Sequence, residues 1–308
     1  VNTNIIFVHI YIYIMSFVYS KPNKSGIGDR MIDIILVTSY SEYLGCNKCF
    51  VEWSIDSPLN WHVNVYNNLR KEKTPFRSVD YKLENLLHYL EIPKNIIFTN
   101  NRKPKLTSVK PLYFAPMLGA RYNLYSFMDY FKISNKEKFI KIYYETFKKI
   151  KFKNIPKEMV EYFKNNKVLT VHLRRGDKVI PSNLWSNDAD DISSSMINEL
   201  DNLTKRVINN IGNTELYIVS DELSVRTEYI NYFKDKYNCK FFKGDEISQT
   251  YFDLYCLAHS NHIVMSQAFS NFSIFASLIN NVKFNYLLDH PKMKTFDSYM
   301  NISKYKFN

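Results

Sequence analysis

The sequence predicts an α/β protein built on parallel sheets, and three observations carry that reading. In the second half, short runs rich in apolar and β-branched residues (Val168–Leu173, Glu215–Ser220, His262–Met265 and 283–287) alternate with stretches long enough to be crossover helices. The run Val168-Leu169-Thr170-Val171-His172-Leu173 is apolar or β-branched apart from His172, the mark of a strand covered on both faces. Near the N-terminus a strand, a loop holding Gly26 and Gly28, and a helix make one further βα unit.

Taken in order, residues 11–19 read as the first strand and 31–44 as a helix, with Asp29 placed to cap it and the two glycines free to let backbone approach a ligand. A strand resumes at 49–53. The polar stretch 61–101 holds one helix, at 83–90; an aromatic segment, 113–131, leads to a lysine-rich amphipathic helix at 136–151. Lys153-Asn154-Ile155-Pro156 punctuates the chain and divides an N-terminal domain, 1–155, from a C-terminal one, 156–308. Beyond it the pattern predicts helices at 192–210, 225–237, 249–259 and 272–279, with strands between them at 215–220, 240–242, 262–265 and 283–287.

Composition bounds function only loosely. A length of 308 residues suits two lobes, and 24 Tyr and 22 Phe against 7 Gly reflect a bias of base composition rather than a task. The formal charge of +11 favours an anionic ligand, but no RNP, zinc-finger or helix-turn-helix pattern accompanies it, so nucleic acid is not expected. Cys46 and Cys49 stand three apart, a redox or half-zinc spacing, without a second pair, and Cys239 and Cys256 are isolated, so neither a metal centre nor a disulfide framework is expected; a reducing, cytoplasmic compartment is compatible. Residues 5–19 form an apolar run that is short for a membrane span and lacks a basic leader; read as an anchor it would imply a membrane-bound, Golgi location. Met15 offers an alternative start.

The chemistry concentrates at strand ends. The Val168 strand closes on His172-Leu173-Arg174-Arg175-Gly176-Asp177, and the carboxyl ends of strands in open α/β sheets face the ligand crevice. Two adjacent guanidinium groups suit a diphosphate, because each presents a planar fork of permanently charged donors. Two other strands end in Ser220-Asp221 and in Ser266, which leads to Ser270 and Ser273 at the start of an apolar helix. There hydroxyls and free N–H groups can receive phosphate, or one serine can simply cap the helix. Asp221 can accept from the N–H edge of a guanine or cap the helix after it. Asp188-Ala189-Asp190 spells a metal-type Asp-x-Asp, but aspartates are also favoured where a helix starts, and no metal is expected.

His172-Leu173-Arg174-Arg175-Gly176-Asp177 resembles the His-Val-Arg-Arg-Gly-Asp motif of GDP-fucose-dependent fucosyltransferases, the α1,2 enzymes above all, which are related to the α1,6 and protein O-fucosyltransferases. The segment from Asp253 through His262 to Ser266 is similar to their Asp-x-x-Leu-x-Ser-x-x-Asp-His-x-Ile, and Phe272-Ser273-Ile274-Phe275-Ala276 to Phe-Ser-Trp-Trp-Ala. Gly26-Ile27-Gly28-Asp29 resembles their N-terminal Gly-x-Gly-Asn.

The resemblance implies a GT-B fold of two facing Rossmann-like domains, with the donor bound by the C-terminal one. It implies an inverting glycosyltransferase that moves L-fucose from GDP-fucose to a glycan hydroxyl, O2 of galactose, without a cofactor or obligatory metal. Arg174 would meet the β-phosphate, Arg175 and His172 the diphosphate or ribose; Asp177 would orient the arginines, Ser273 would cradle phosphate, and Asp221 would read guanine. The α1,6 relatives place a glutamate base just past the motif, where this chain reads Lys178-Val179-Ile180-Pro181-Ser182, so Asp29, Asp188, Asp190 and Asp191 stand as base candidates. Another GDP-sugar, a protein acceptor, or an inactive sugar- or nucleotide-binding module are the alternatives.

Overall fold

A computed structural model describes residues 17–20, 26–46, 48–53, 82–99, 112–114, 124–175, 179–180, 192–193, 197–212, 215–265, 270–280 and 283–286. They fall into two compact units, one ending at Lys153 and the other starting at Asn154. Both are α/β with a parallel main sheet.

The first unit carries strands β1 (Phe17–Ser20), β2 (Lys48–Glu52), β4 (Ile96–Thr99) and β5 (Leu112–Phe114) in the order β4-β2-β1-β5. Between β1 and β2 runs helix α1 (Ile27–Tyr43), buried along most of its length. It starts four residues before the predicted 31–44, because Gly26, at φ −59°, is the N-cap itself and Gly28 lies buried inside the first turn. Asp29 is therefore a first-turn acid, favoured by the helix dipole, rather than the cap. The helix stops where Gly45 takes φ +75° and its N–H bonds the Glu42 carbonyl, a left-handed C-terminal turn that glycine adopts without steric cost.

Helices α2 (Leu83–Tyr89), α3 (Leu124–Tyr130) and α4 (Lys136–Lys148) complete this unit. Tyr40, Phe127, Phe131 and Phe139 form one aromatic cluster between α1, α3 and α4, with Tyr40–Phe131 centroids 5.1 Å apart. The predicted helix 136–151 ends at Lys148. The chain then enters β6 (Lys151–Phe152), which pairs antiparallel with β3 (Leu90–Glu91).

The second unit opens with α5 (Lys157–Asn165), a helix that is not among those the sequence predicts; Met159 and Phe163, one turn apart, are its buried stripe. Strands β7 (Val168–Leu173), β10 (Glu215–Ser220), β11 (Asn238–Lys240), β12 (His262–Met265) and β13 (Lys283–Tyr286) follow in the order β11-β10-β7-β12-β13, all parallel. The chain steps outward from β7 to β11 and then crosses back to β12. That reversal makes a topological switch point between β7 and β12, where such sheets open a crevice beyond their carboxyl ends.

All six residues of β7 are buried, as expected of a strand covered on both faces. Leu169, Val171 and Leu173 pack with Leu216, Ile218 and Val264 against Ile208 of α6 (Ile197–Ile211) and Tyr229 and Phe233 of α7 (Leu223–Phe233). Thr170 and His172 take the opposite face, where Ser260 and Ser273 receive them beside α8 (Glu246–His259) and α9 (Asn271–Asn280). The predicted helix 192–210 divides: Ile192–Ser193 is β9, parallel to β8 (Val179–Ile180), and α6 begins only at Ile197. A β-branched residue followed by serines, whose hydroxyls compete for backbone groups, holds a helix poorly. The predicted helix 225–237 is likewise displaced to Leu223–Phe233, and the strand 240–242 to Asn238–Lys240.

Candidate functional site

The switch point of the second unit gathers six of the predicted residues, His172, Arg174, Arg175, Asp221, Ser270 and Ser273. His172, one residue before the end of β7, is flanked in register by Val219 of β10 and Met265 of β12. Its Nδ1 shares a 2.5 Å hydrogen bond with Ser273 Oγ in the first turn of α9, and its ring lies 5.8 Å from Phe272. Burial, then the charges of Arg174 and Arg226, lower its pKa to about 3, so the ring is neutral at pH 7. It can donate and accept hydrogen bonds but supplies no positive charge.

The arginine pair, drawn together by the sequence reading, separates. Arg174 is half-buried and next to the crevice, whereas Arg175 is 2% exposed and turns into the protein. Its guanidinium pairs with Asp201 of α6, which also accepts from Tyr229 Oη at 2.5 Å. Its main-chain N–H donates to Asp221 Oδ1 at 2.8 Å. Asp221 thus fixes the turn after β7 instead of capping α7, whose N-cap is Glu222. Ser220 reinforces the same turn: its hydroxyl donates to the Leu173 carbonyl at 2.8 Å. Within hydrogen-bonding reach, the anchor of Arg175 is Asp201, a residue for which no local sequence signal exists.

Ser273 spends its hydroxyl on His172. Ser270 is different: it is 3% exposed, it immediately precedes α9, and its Oγ has no hydrogen-bond partner among the described residues. Arg175 Nη1 is in the same state. Buried polar atoms of this kind are rare and mark sites completed by something else.

A second buried pair lies under β10. Arg226 donates from Nη2 to Asp253 Oδ2 at 2.6 Å and to the Ser220 carbonyl at 3.0 Å, and Asp253 also accepts from Gln249 Nε2 at 2.9 Å. Arg226, Asp201 and Gln249 are site-supporting residues that the sequence reading missed.

Gly26, Gly28 and Asp29 belong to the first unit, at the N-terminus of α1. Asp177, Asp188, Asp190, Asp191 and Ser266 lie outside the described residues, as does most of the apolar run 5–19. Among the described residues no group of three or more His, Cys, Asp or Glu gathers as metal ligands, and no helix is long and apolar enough to cross a membrane. Burial raises the Cys46 thiol and carries Cys49 to about 12, so both stay protonated and pack as small apolar groups.

No protein-family profile and no curated protein matches the chain. Among solved structures it is similar to the α-1,6-fucosyltransferase NodZ soaked with GDP-fucose, at 13% identity and TM-score 0.47, over 86% of this chain and 92% of that one. It is also similar to the fucosyltransferase NodZ from Bradyrhizobium, at 14% and 0.49 over 86% and 93%. A third similar structure is POFUT1 in complex with GDP-fucose, at 11% and 0.44 over 89% and 98%. These scores lie below 0.5, and the functional reading below rests on the residues of the site itself.

Proposed function

We propose that the chain is an inverting glycosyltransferase of GT-B fold that takes L-fucose from GDP-fucose and delivers it to a glycan hydroxyl, with O2 of galactose as the acceptor position. One observation supports it above the rest. At the switch point, the half-buried Arg174 at the end of β7 sits across one strand pairing from the start of α9, where the buried Ser270 hydroxyl lacks a partner among the described residues. A cation, an unmet hydroxyl and free helix N–H groups at one edge are what a diphosphate needs. The motif resemblance supplies the sugar and the acceptor.

In this reading the acceptor oxygen attacks the fucose anomeric carbon as the bond from that carbon to the β-phosphate oxygen breaks. The electron pair leaves on GDP and the acceptor proton passes to a carboxylate, Asp29, Asp188 or Asp190. Charge builds on the departing diphosphate, so a fixed guanidinium at Arg174 is bound more tightly by the transition state than by the ground state. Arg175 and Asp221 act by holding Arg174's turn, and His172 by holding Ser273 and the start of α9. Donor chemistry of this kind requires no metal.

Titration with GDP, followed by thermal unfolding, tests the donor half: the full chain is expected to show saturable protection that Arg174→Ala removes. Incubation with GDP-fucose and lactose, with linkage determined on the product, tests the rest. GDP protection with no turnover on any glycan acceptor would favour the inactive binding module.

A further inference from the structure

The strand next to β10 on its far side from β7 is β11, which ends level with Tyr217, and just past it an aromatic ring is part-exposed. Phe241 follows β11 directly and is 37% exposed. The Arg226 guanidinium lies 4.8 Å from its ring centroid, and Arg226 is itself 1% exposed and fixed by Asp253 and the Ser220 carbonyl. Phe241 therefore has a rigid cation behind it and an accessible surface in front.

The segment after it is tightly held. Gly244 donates its N–H to Gln249 Oε1 at 2.9 Å and lies so close to the start of α8 that a Cβ there would fall 2.4 Å from Ser248 Oγ. Phe242 turns its ring to Tyr162 and Tyr217, which leaves Phe241 with the Arg226 guanidinium on its ring and part of its surface exposed. β11 lies two strand spacings, about 10 Å, from β7, and Arg226, whose guanidinium lies against the Phe241 ring, reaches the carbonyl of Ser220 at the end of β10. That strand separation is the reach of a nucleoside diphosphate from its phosphates to its base.

We propose that Phe241 is the stacking platform for the donor's nucleobase, with Arg226 as its fixed backing. The proposal rests on the donor reading above and extends it: phosphates at the β7 and α9 ends, base at the β11 end. Stacking on a ring that is already immobile loses little conformational entropy and is worth about 1–3 kcal/mol per base. A ring face offers no hydrogen bonds, so the platform adds affinity for any base and leaves the choice among bases to other groups.

The test compares GDP with inorganic pyrophosphate on the full chain, by calorimetry, for wild type, Phe241→Ala and Phe241→Trp. Phe241→Ala is expected to weaken GDP by about five- to 150-fold, the stacking energy converted at tenfold per 1.4 kcal/mol, while pyrophosphate binds as before. Phe241→Trp, which keeps a ring, is expected to restore GDP. Equal loss of both ligands, or no loss of GDP, overturns the platform. Wild type that binds neither ligand overturns the donor reading itself, a separate result from wild type that binds GDP and is indifferent to Phe241→Ala.

Discussion

His172 is a histidine held neutral by its surroundings, and this has a consequence for stability. Its folded pKa, about 3, lies below the unfolded value of about 6.5, so the unfolded chain binds the extra proton first. The contribution is present in full above pH 6.5 and is lost as pH falls toward 3, by at most about 1.4 kcal/mol per pH unit. Melting curves between pH 7 and pH 4 should show a steeper decline for wild type than for His172→Gln; parallel curves would refute the assignment. Arg175 and Asp201 make the complementary case of a buried charge pair. Asp201→Asn strands a guanidinium and is expected to cost about 3–5 kcal/mol in urea denaturation, whereas the paired change Arg175→Met with Asp201→Leu should recover most of it. A double variant as unstable as the single one would show that the pair contributes more than mutual neutralisation.

At the scale of the element, ends matter more than middles. Asp245 caps α8 by accepting from the Ser248 N–H at 2.7 Å and from its hydroxyl at 2.7 Å. Asp245→Ala should therefore cost about 1 kcal/mol, read from the denaturation midpoint; an unchanged midpoint would mean the Gly244–Gln249 bond suffices to hold that turn. The strands β7, β10 and β12 were legible, because a strand buried on both faces reads as a short run dominated by apolar and β-branched residues. Helix starts were less so. Gly26 and Gly28 read as a flexible loop when one is an N-cap and the other an interior residue, and nothing local in Ile192-Ser193 reveals a strand partner. The same limit applies to the site. His172, Arg174 and Ser270 stand at strand and helix ends and can be found by position, but Arg175 meets Asp201 across 26 positions and Arg226 meets Asp253 across 27, distances at which no periodicity operates.

At the scale of the whole molecule, donor binding should leave a local signature. Hydrogen exchange with and without GDP is expected to slow at the ends of β7 and β10 and the first turn of α9, with the strands β1, β2 and β4 unaffected. Protection spread evenly over both units, or confined to the first, would contradict a donor pocket in the second. The strand order of that second unit also bears on how the protein is made. β7 is central in space yet first in the chain: its neighbours β10 and β12 lie about 45 and 90 residues downstream. During synthesis Val168–Leu173 emerges with both edges unpaired; β10 can cover one once residue 220 has left the ribosome, and the other waits for residue 265. The strand that sets the position of the cations is thus the one most in need of shelter before the sheet closes, and the long-range pairings that finish it favour slow folding.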